Sequence, residues 1–402
     1  MTFDVDAVRK AYPALVEGFA SLDGAAGTLV AAPVADAVAA TMRSAVSNRG
    51  EAFAPARRSG EIVAAARAAV GDLVGADPRG VVFGPSATAL TYTVSRALAD
   101  AWGPGDEIVV THLDHDANVR PWVRAAHRAG ATVRWADFDP ATGELPAGQY
   151  ETLVNDRTKL VAVTAASNAI GTIPDVAAIA ATAHAHDALV YVDGVHATAH
   201  LPVDVAALGA DFYVTSAYKW SGPHIAALAA APSLLIGLFP DKLNPAPDTV
   251  PERFEFGTLS FELLAGVTAA VDHLAGLDPT ATGDRRARVR ASMTAAHAYE
   301  MTVFSYLLDG LASIRGVTVL PAPARRCPTV SFRVEGVAPS DTARALGDAG
   351  VCVFSGDYYA YEYFTTMGLR ESGGAVRAGV YHYNTVEDVE RLLAALRGGV
   401  EL

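Results

Sequence analysis

Residues 211–222 read DFYVTSAYKWSG, an apolar strand that leads to a lysine and then to a Trp-Ser-Gly turn. Lysine is scarce in this chain, and Lys219 is one of only four. A charged side chain at the end of a buried strand is costly unless a partner or a function compensates for its desolvation. Ligands of open α/β sheets bind beyond the carboxyl ends of the strands. The position of Lys219 therefore predicts a functional site at the end of this strand.

The region around this strand alternates apolar β-rich runs with alanine-rich helical stretches. This alternation predicts an α/β fold whose mostly parallel seven-stranded sheet is sandwiched by helices. We assign 21–262 to this large domain, and 1–20 together with 263–402 to a small α+β domain. The predicted strands of the sheet are 81–83, 107–111, 131–138, 159–164, 189–193, 212–215 and 225–230.

Composition limits the function classes. The chain has 402 residues, a formal net charge of -13 and two cysteines, Cys327 and Cys352. Such a negative charge opposes nonspecific binding to nucleic acid or to an anionic membrane. Two cysteines are too few for a disulfide framework and lack metal-site spacing, so we expect a reducing, cytoplasmic setting. We also expect neither a signal peptide nor a membrane span.

Small and hydroxyl residues follow the first strand of the predicted sheet. Ser86, Ala87 and Thr88 begin a helix, where free backbone N–H groups can hold a phosphate. The same residues are also typical of an ordinary N-cap. The next strand is followed by the segment 112–116, HLDHD, whose imidazoles could stack on a planar ligand, bind a metal or make hydrogen bonds in the core. Its spacing matches no metal-binding signature.

Asp193 and Lys219 end two successive strands of the predicted sheet, at the same edge. They form either a buried ion pair, which is not stabilising by burial alone, or two functional groups of one site. Burial lowers the pKa of a lysine, as a lysine that forms a Schiff base requires.

Seven segments of the chain, in order and at matching intervals, resemble the motifs of one enzyme family. They are SLDGAAGT (21–28), HDANVRPW (115–122), ASNAIGTIPDV (166–176), VYVDGVHATAH (190–200), TSAYKWSGP (215–223), RFEFGTLS (253–260) and VRAGVYHYNTVEDVERL (376–392). The chain resembles pyridoxal 5'-phosphate (PLP)-dependent transferases of fold type I, and within them the class V aminotransferase and cysteine desulfurase-like family. The resemblance implies pyridoxal phosphate as cofactor, a small amino-acid substrate and a homodimer with shared active sites.

The resemblance implies catalytic roles for three residues. Lys219 would form the covalent link to the cofactor and later move protons. Asp193 would pair with the pyridine N–H of the cofactor, and His115 would stack on its ring. His196 stands where the family usually has a glutamine near the ring oxygen, and would bind the cofactor there.

The phosphate of the cofactor is expected to bind Ala87, Thr88 and Ser216. Tyr218 replaces a common phosphate-binding histidine and could donate through its hydroxyl. Thr258 would reach the phosphate of the neighbouring subunit.

The substrate is expected to bind on the other side of the cofactor. Asn168, which also contacts the cofactor, and Arg377 would bind the α-carboxylate, Arg377 through a bidentate fork. Arg49, in the segment 47–53, would come from the partner subunit.

The resemblance fails at the cysteine on which desulfurases depend. The matching stretch is VCVFSGDYYAYEYF (351–364), and Tyr359 stands at the position of the sulfur-accepting cysteine. We expect Cys352 to lie in a buried apolar strand, where a thiol is usually inert. The tyrosine-rich loop 357–364 either packs on the small domain or forms a substrate wall that includes Tyr359.

The sequence therefore predicts a PLP-dependent enzyme without an obvious sulfur acceptor. The reaction that needs no enzyme thiol is β-elimination of a cysteine conjugate, a C–S lyase reaction that suits specialised metabolism. Oxidative decarboxylation or deamination, epimerisation and transamination are alternatives on the same substrate. A cysteine desulfurase that uses Cys352 and a PLP-binding protein without catalysis are the remaining readings.

Overall fold

The computed structural model describes residues 3–398. Its strands are, in chain order, β1 (Ala20–Ser21), β2 (Val81–Gly84), β3 (Glu107–Thr111), β4 (Thr132–Ala136), β5 (Thr158–Thr164), β6 (Leu189–Asp193), β7 (Phe212–Ser216), β8 (Ala226–Ala230), β9 (Val317–Val319), β10 (Thr329–Val334), β11 (Val351–Cys352), β12 (Phe354–Gly356) and β13 (Ala375–Gly379).

The α-helices lie mainly between and after the strands of the large sheet. They are α1 (Val5–Arg9), α2 (Ala32–Met42), α3 (Ala54–Val74), α4 (Ala87–Ala99), α5 (Arg120–Ala129), α6 (Tyr150–Leu153), α7 (Val176–His184), α8 (Val205–Leu208), α9 (Pro232–Ile236), α10 (Phe261–Ala275), α11 (Arg285–Ser313), α12 (Pro339–Asp348), α13 (Tyr361–Thr366) and α14 (Val386–Arg397). Within residues 3–398, none of these helices combines the length and apolarity that a bilayer crossing needs.

The central sheet has seven strands in the order β2-β8-β7-β6-β5-β3-β4. Strand β8 runs antiparallel to both of its neighbours, and the other pairs are parallel. The predicted α/β fold with a mostly parallel seven-stranded sheet is therefore confirmed. Asp193 at the end of β6 lies opposite Val214 in β7, so the two strands end at one edge of the sheet.

Except at the edge strand β4, both faces of the sheet are buried, which explains why those strands are apolar without alternation. Successive residues of β5 enter two different cores, because side chains of a strand point to opposite faces in turn. Val161 and Val163 pack into the core that includes α3 and α10, whereas Leu160 and Ala162 pack into the core that includes α4 and α5.

A second sheet lies in the C-terminal part of the chain. It is antiparallel, with the order β12-β13-β10-β9, and it places Arg377 in its centre on β13. Strand β1 near the N-terminus pairs in parallel with β11, so the first residues associate with this C-terminal part. That pairing agrees with the predicted division at 1–20, 21–262 and 263–402, which stays a prediction.

The prediction that Cys352 lies in a buried apolar strand was wrong. Val351–Cys352 is a two-residue strand that pairs with β1, and Phe354–Gly356 belongs to the second sheet. Cys352 is exposed and not buried. Successive side chains of a strand point to opposite faces. Val351 of the two-residue strand β11 therefore points into the core, and Cys352 points to the opposite, exposed side.

Candidate active site

Two adjoining cavities lie beyond the carboxyl ends of the central strands. The larger has a volume of about 520 Å³ and the smaller about 80 Å³. Both are lined by Lys219, His115 and Asn168, so they form one site. The smaller cavity brings together the cofactor-binding residues predicted for this subunit, namely Ala87, Thr88, His115, Asn168, Asp193, His196, Ser216, Tyr218 and Lys219. The larger one adds Tyr359 and Arg377.

Lys219 ends a single 3-10 turn, Ala217–Lys219, that follows β7. Its ammonium is buried, and burial together with the nearby Arg377 lowers the pKa of Lys219 to about 8. Asp193 is buried as well, which raises its pKa, while Lys219 opposes that rise. The backbone N–H of Val195 donates to Asp193 Oδ1 over 2.9 Å. The other carboxylate oxygen accepts no hydrogen bond within the described residues and is free for a ligand N–H.

His115 is held as a neutral imidazole. Burial, with Lys219 and Arg377 nearby, lowers its pKa to about 3. The backbone N–H of Ala117 donates to His115 Nδ1 over 3.0 Å, so Nδ1 carries no proton and Nε2 does. A neutral ring can stack on a planar cofactor without placing a second buried charge beside Lys219.

Asp114 fixes the turn that carries His115. In the sequence, this carboxyl was considered only as part of the segment 112–116, a candidate metal site. Asp114 accepts hydrogen bonds from Thr111 and Asn118, and Asn118 in turn accepts from the indole of Trp122. Burial raises the pKa of Asp114 to about 7. Asp114 therefore orients the backbone that carries His115.

The N-terminus of α4 forms one end of the smaller cavity. Ser86 caps the helix by accepting from the backbone N–H of Ala89 over 3.1 Å. Thr88 in the first turn is exposed to the cavity, and Ser216 and Tyr218 face it from the turn before Lys219. Helix N-terminal N–H groups and hydroxyls are the donors that a phosphate needs. The Tyr218 ring stacks on His224, with ring centroids 4.9 Å apart.

Two buried polar atoms of this cavity have no partner within the described residues, His196 Nδ1 and Asn168 Oδ1. The other ring nitrogen of His196, Nε2, lies 3.0 Å from Thr329 Oγ1. Buried polar groups are rarely left unpaired in a finished site. The unpaired atoms of His196 and Asn168 match the ring oxygen of pyridoxal phosphate, and the free oxygen of Asp193 matches its pyridine nitrogen. The Lys219 amine matches the aldehyde, and the α4 N-terminus matches the phosphate. The residues present therefore fit this cofactor.

Arg377 lies at the inner wall of the larger cavity and is almost fully buried. Its Nη1 donates to the backbone oxygen of Asn168 over 3.0 Å, and its Nη2 lies 3.4 Å from Asp23 Oδ1. The guanidinium also stacks 4.5 Å above the Tyr358 ring. Nε has no partner within the described residues. Asp23 was missed by the sequence analysis, although it lies in the quoted segment 21–28 beside two alanines of the cavity.

The loop that carries Tyr359 lies across the mouth of the site. The Asn168 amide donates to the Tyr358 carbonyl over 2.9 Å, and the Asp116 N–H donates to the Tyr359 carbonyl over 2.7 Å. The Tyr359 ring stacks on His115 at 5.5 Å. Asn168 keeps one N–H free for a ligand, because an amide nitrogen has two donors. Its predicted contact with substrate stays a prediction.

Arg49 and Thr258 are not at this site within their own chain. They line a separate surface pocket of about 170 Å³, in which Arg49 Nη2 lies 3.2 Å from Glu252 Oε1. That both residues act in the neighbouring subunit stays a prediction.

Comparison with known proteins agrees with the geometry. Residues 20–392 match the family model Aminotransferase class-V. The chain belongs to this family of PLP-dependent enzymes, whose members include cysteine desulfurases.

Individual relatives cover the whole length. The chain is 38% identical over 397 residues to an uncharacterized protein of Mycobacterium tuberculosis (98% of this chain and 99% of that protein). It is 32% identical over 418 residues to a cysteine desulfurase of Klebsiella pneumoniae (99% and 98%). The apo structure of a cysteine desulfurase from Thermococcus onnurineus superimposes with a TM-score of 0.89 at 26% identity, covering 100% and 99% of the two chains.

The buried Lys219 ammonium makes the stability of the cofactor-free protein depend on pH. Because the folded lysine loses its proton near pH 8 and the unfolded lysine keeps it to about pH 10, stability rises with pH across this window. We expect Lys219→Met, without cofactor, to be more stable than the wild type by up to about 3 kcal/mol below pH 8, with the difference vanishing above about pH 10. Denaturant unfolding of both proteins as a function of pH measures this difference in the free energy of unfolding. Lys10→Met, at an exposed position, is the control. A difference independent of pH would contradict the burial of this charge.

Arg377 provides a second test. Lysine keeps the positive charge but loses the planar fork and the stacking on Tyr358. We expect Arg377→Lys to bind S-methylcysteine about 10- to 100-fold more weakly, the loss of a charge-assisted hydrogen bond. Titration followed by the absorbance of the bound cofactor measures this affinity. Arg333→Lys, on a partly exposed position of β10 away from the cavity, should bind as the wild type does. Equal loss in both variants would remove Arg377 from the substrate site.

Proposed function

We propose that the chain catalyses β-elimination of an S-substituted cysteine, which breaks the Cβ–S bond and gives a thiol, pyruvate and ammonia. The observation that carries this proposal is the lining of the larger cavity. Tyr359 faces the cavity where the resemblance expects a sulfur-accepting cysteine, and neither Cys327 nor Cys352 is among the described residues that line it. A reaction at this site then proceeds without an enzyme thiol.

The substrate α-carboxylate would bind at the inner wall. Arg377 offers Nε and part of its fork, and Asn168 offers its second amide N–H. Asp23 and the Asn168 carbonyl hold the guanidinium in place from behind. This orientation presents the substrate amino group and Cα to Lys219, which lines the same cavity.

Lys219 would perform the proton transfers. Pyridoxal phosphate, when bound, supplies the electron sink that stabilises negative charge at Cα. With a pKa of about 8, the Lys219 amine is neutral often enough near neutral pH to remove the Cα proton. The electron pair left at Cα then forms a Cα–Cβ double bond as the Cβ–S bond breaks, and the Lys219 ammonium can return the proton to the leaving thiolate. Water hydrolyses the released aminoacrylate to pyruvate and ammonia.

The lining of the larger cavity favours an apolar thiol as leaving group. Its volume of about 520 Å³ must hold part of the cofactor as well as the substrate, because the adjoining cavity offers only about 80 Å³. Small side chains, Ala25, Ala26 and Ala117, widen the walls, and Tyr92 and Phe354 add aromatic surface. These features support a cysteine conjugate with an apolar substituent.

One observation favours a cysteine desulfurase as a second candidate. Cys352 is exposed, contrary to the expectation from sequence, so its thiol is accessible. Partial burial and the nearby Asp23 raise the pKa of this thiol, which leaves less of the reactive thiolate. The two candidates differ in their products.

Product analysis separates the two reactions. With S-alkyl and bulky S-aryl cysteines, we expect pyruvate and free thiol in equal amounts, at rates that Cys352→Ala leaves unchanged. Coupled assays for pyruvate and a thiol reagent measure both. Alanine with sulfur transferred from free cysteine, lost in Cys352→Ala, would instead establish the desulfurase. Alanine without sulfur transfer, or carbon dioxide, would contradict both.

We also propose that the enzyme is a homodimer in which Thr258 and Arg49 complete the partner's site. The two residues lie together, away from Lys219 of their own chain. Large apolar side chains are exposed in the neighbouring segments, Phe256 at 56% and Phe53 at 51%. Exposed apolar surface of this kind is typical of an interface.

Subunit complementation tests the shared site. Lys219→Ala and Thr258→Val subunits, each of low activity alone, are unfolded and refolded together. If Thr258 acts across the interface, the mixed dimer contains one intact site and activity returns. If Thr258 acts within its own chain, no site is intact and activity stays low. Sedimentation analysis confirms the dimer in each sample.

A further inference from the structure

His196 lines the smaller cavity and contacts Thr329, a residue of the second sheet. His196 lies three residues after the end of β6, at the start of the 3-10 turn Ala197–Ala199. Thr329 is the first residue of β10. Both side chains are buried, with exposures of 2% and 0%. The second sheet is therefore linked to the cofactor cavity by the contact between these two side chains.

A hydrogen bond connects the two side chains. His196 Nε2 lies 3.0 Å from Thr329 Oγ1. In a neutral imidazole one ring nitrogen donates and the other accepts, whereas a hydroxyl can donate and accept. The direction of this hydrogen bond therefore decides which nitrogen of His196 carries the hydrogen.

The hydroxyl hydrogen of Thr329 determines that direction. Within the described residues, His196 Nε2 is the only acceptor at hydrogen-bond distance from Thr329 Oγ1, and Thr329 is not among the residues that line either cavity. If Nε2 carried the hydrogen, the Thr329 hydroxyl would have to accept it, and its own hydrogen would be buried without a partner, which is costly. The hydroxyl therefore donates to Nε2, and Nδ1 carries the ring hydrogen.

The hydrogen on Nδ1 is available to a ligand. Nδ1 has no partner within the part of the chain that the structure describes, and His196 lines the cavity. Burial, with His200, Lys219 and Arg377 nearby, lowers the pKa of His196 well below its usual value. The ring is thus neutral near neutral pH, and it has one hydrogen to donate.

The two histidines of the site are held in opposite tautomers. The backbone N–H of Ala117 donates to His115 Nδ1, so His115 carries its hydrogen on Nε2. Thr329 donates to His196 Nε2, so His196 carries its hydrogen on Nδ1. In each case a neighbouring donor fixes the tautomer before any cofactor binds.

We propose that Thr329 is a positioning residue that holds His196 in the Nδ1–H tautomer, so that Nδ1 donates a hydrogen bond to the ring oxygen of the cofactor. The resemblance to the family places a glutamine at this position, and a glutamine amide always carries donors. A histidine supplies the same donor only when the hydrogen is on the nitrogen that faces the ligand. The proposal concerns the protein and its cofactor, and it does not depend on the β-elimination reaction.

Nitrogen-15 NMR of the full-length protein tests the tautomer, because the shift of a ring nitrogen depends on whether it carries a hydrogen. With labelled histidine, the signals of His196 are those missing from His196→Gln. We expect the hydrogen on Nδ1 before and after pyridoxal phosphate is added. Without cofactor, Thr329→Ser should keep this tautomer, and Thr329→Val should show both tautomers. A wild-type His196 with its hydrogen on Nε2 would overturn the proposal.

Cofactor affinity tests the consequence for binding. We expect Thr329→Val to bind pyridoxal phosphate about 3- to 10-fold more weakly, the size of one net hydrogen bond. The same variant should bind 3-deoxypyridoxal phosphate, which lacks the ring oxygen, as the wild type does. Thr329→Ser should resemble the wild type with both ligands, and so should Thr318→Val at an exposed position of β9. Equilibrium dialysis measures each affinity.

Two outcomes of the dialysis experiment would contradict the role of Thr329. Equal weakening toward both ligands would show that the substitution disturbs the cavity as a whole. Undiminished affinity of Thr329→Val for pyridoxal phosphate would show that the ring oxygen does not depend on the tautomer. Because the NMR experiment determines the tautomer in the wild type itself, it decides the proposal even if Thr329→Val does not fold.

Discussion

The site depends on the burial of two opposite charges, Asp193 and Lys219, at the ends of neighbouring strands. Neither charge is stable alone in such an interior, and an ion pair there rarely repays its desolvation. The sheet must therefore hold them at one edge with little freedom, and the apolar strands β6 and β7 do so because both of their faces are buried. The same burial lowers the pKa of Lys219 to about 8, so the feature that weakens the folded chain also makes the lysine reactive.

The sequence predicted the parts of the molecule that follow from local pattern. Apart from the edge strand β4, the strands of the central sheet were recognisable because continuous apolar runs of that length are typical of doubly covered strands. The positions of Lys219, Asp193 and His115 followed from the rule that strand ends carry ligands, and the structure brings them to one cavity. Arg377 was found only through its motif, since a strand in the second sheet gives no sign of which site it faces.

Other features depend on contacts between distant residues and were not predictable. Asp23 and Arg377 are far apart in sequence, and a parallel bridge between Asp23 and Gly379, at the end of β13, brings them together. Cys352 was misplaced because β11 is two residues long, too short for its alternation to be read. The side chains of Tyr12, His273 and His382 meet in the core although they come from three distant parts of the chain.

The two tyrosines of the loop across the site, Tyr358 and Tyr359, both have left-handed backbones, with φ of 52° and 59°. Glycine would adopt this conformation freely, whereas a side chain there costs about 1–2 kcal/mol. The contacts of the two rings with Arg377 and His115 offset part of this cost. For an enzyme engineer the loop is therefore an unusual target. Glycine substitutions at either position would relax the backbone and at the same time remove an aromatic ring from the lining of the larger cavity. The rigidity of the loop and the shape of the cavity therefore cannot be adjusted separately at these positions.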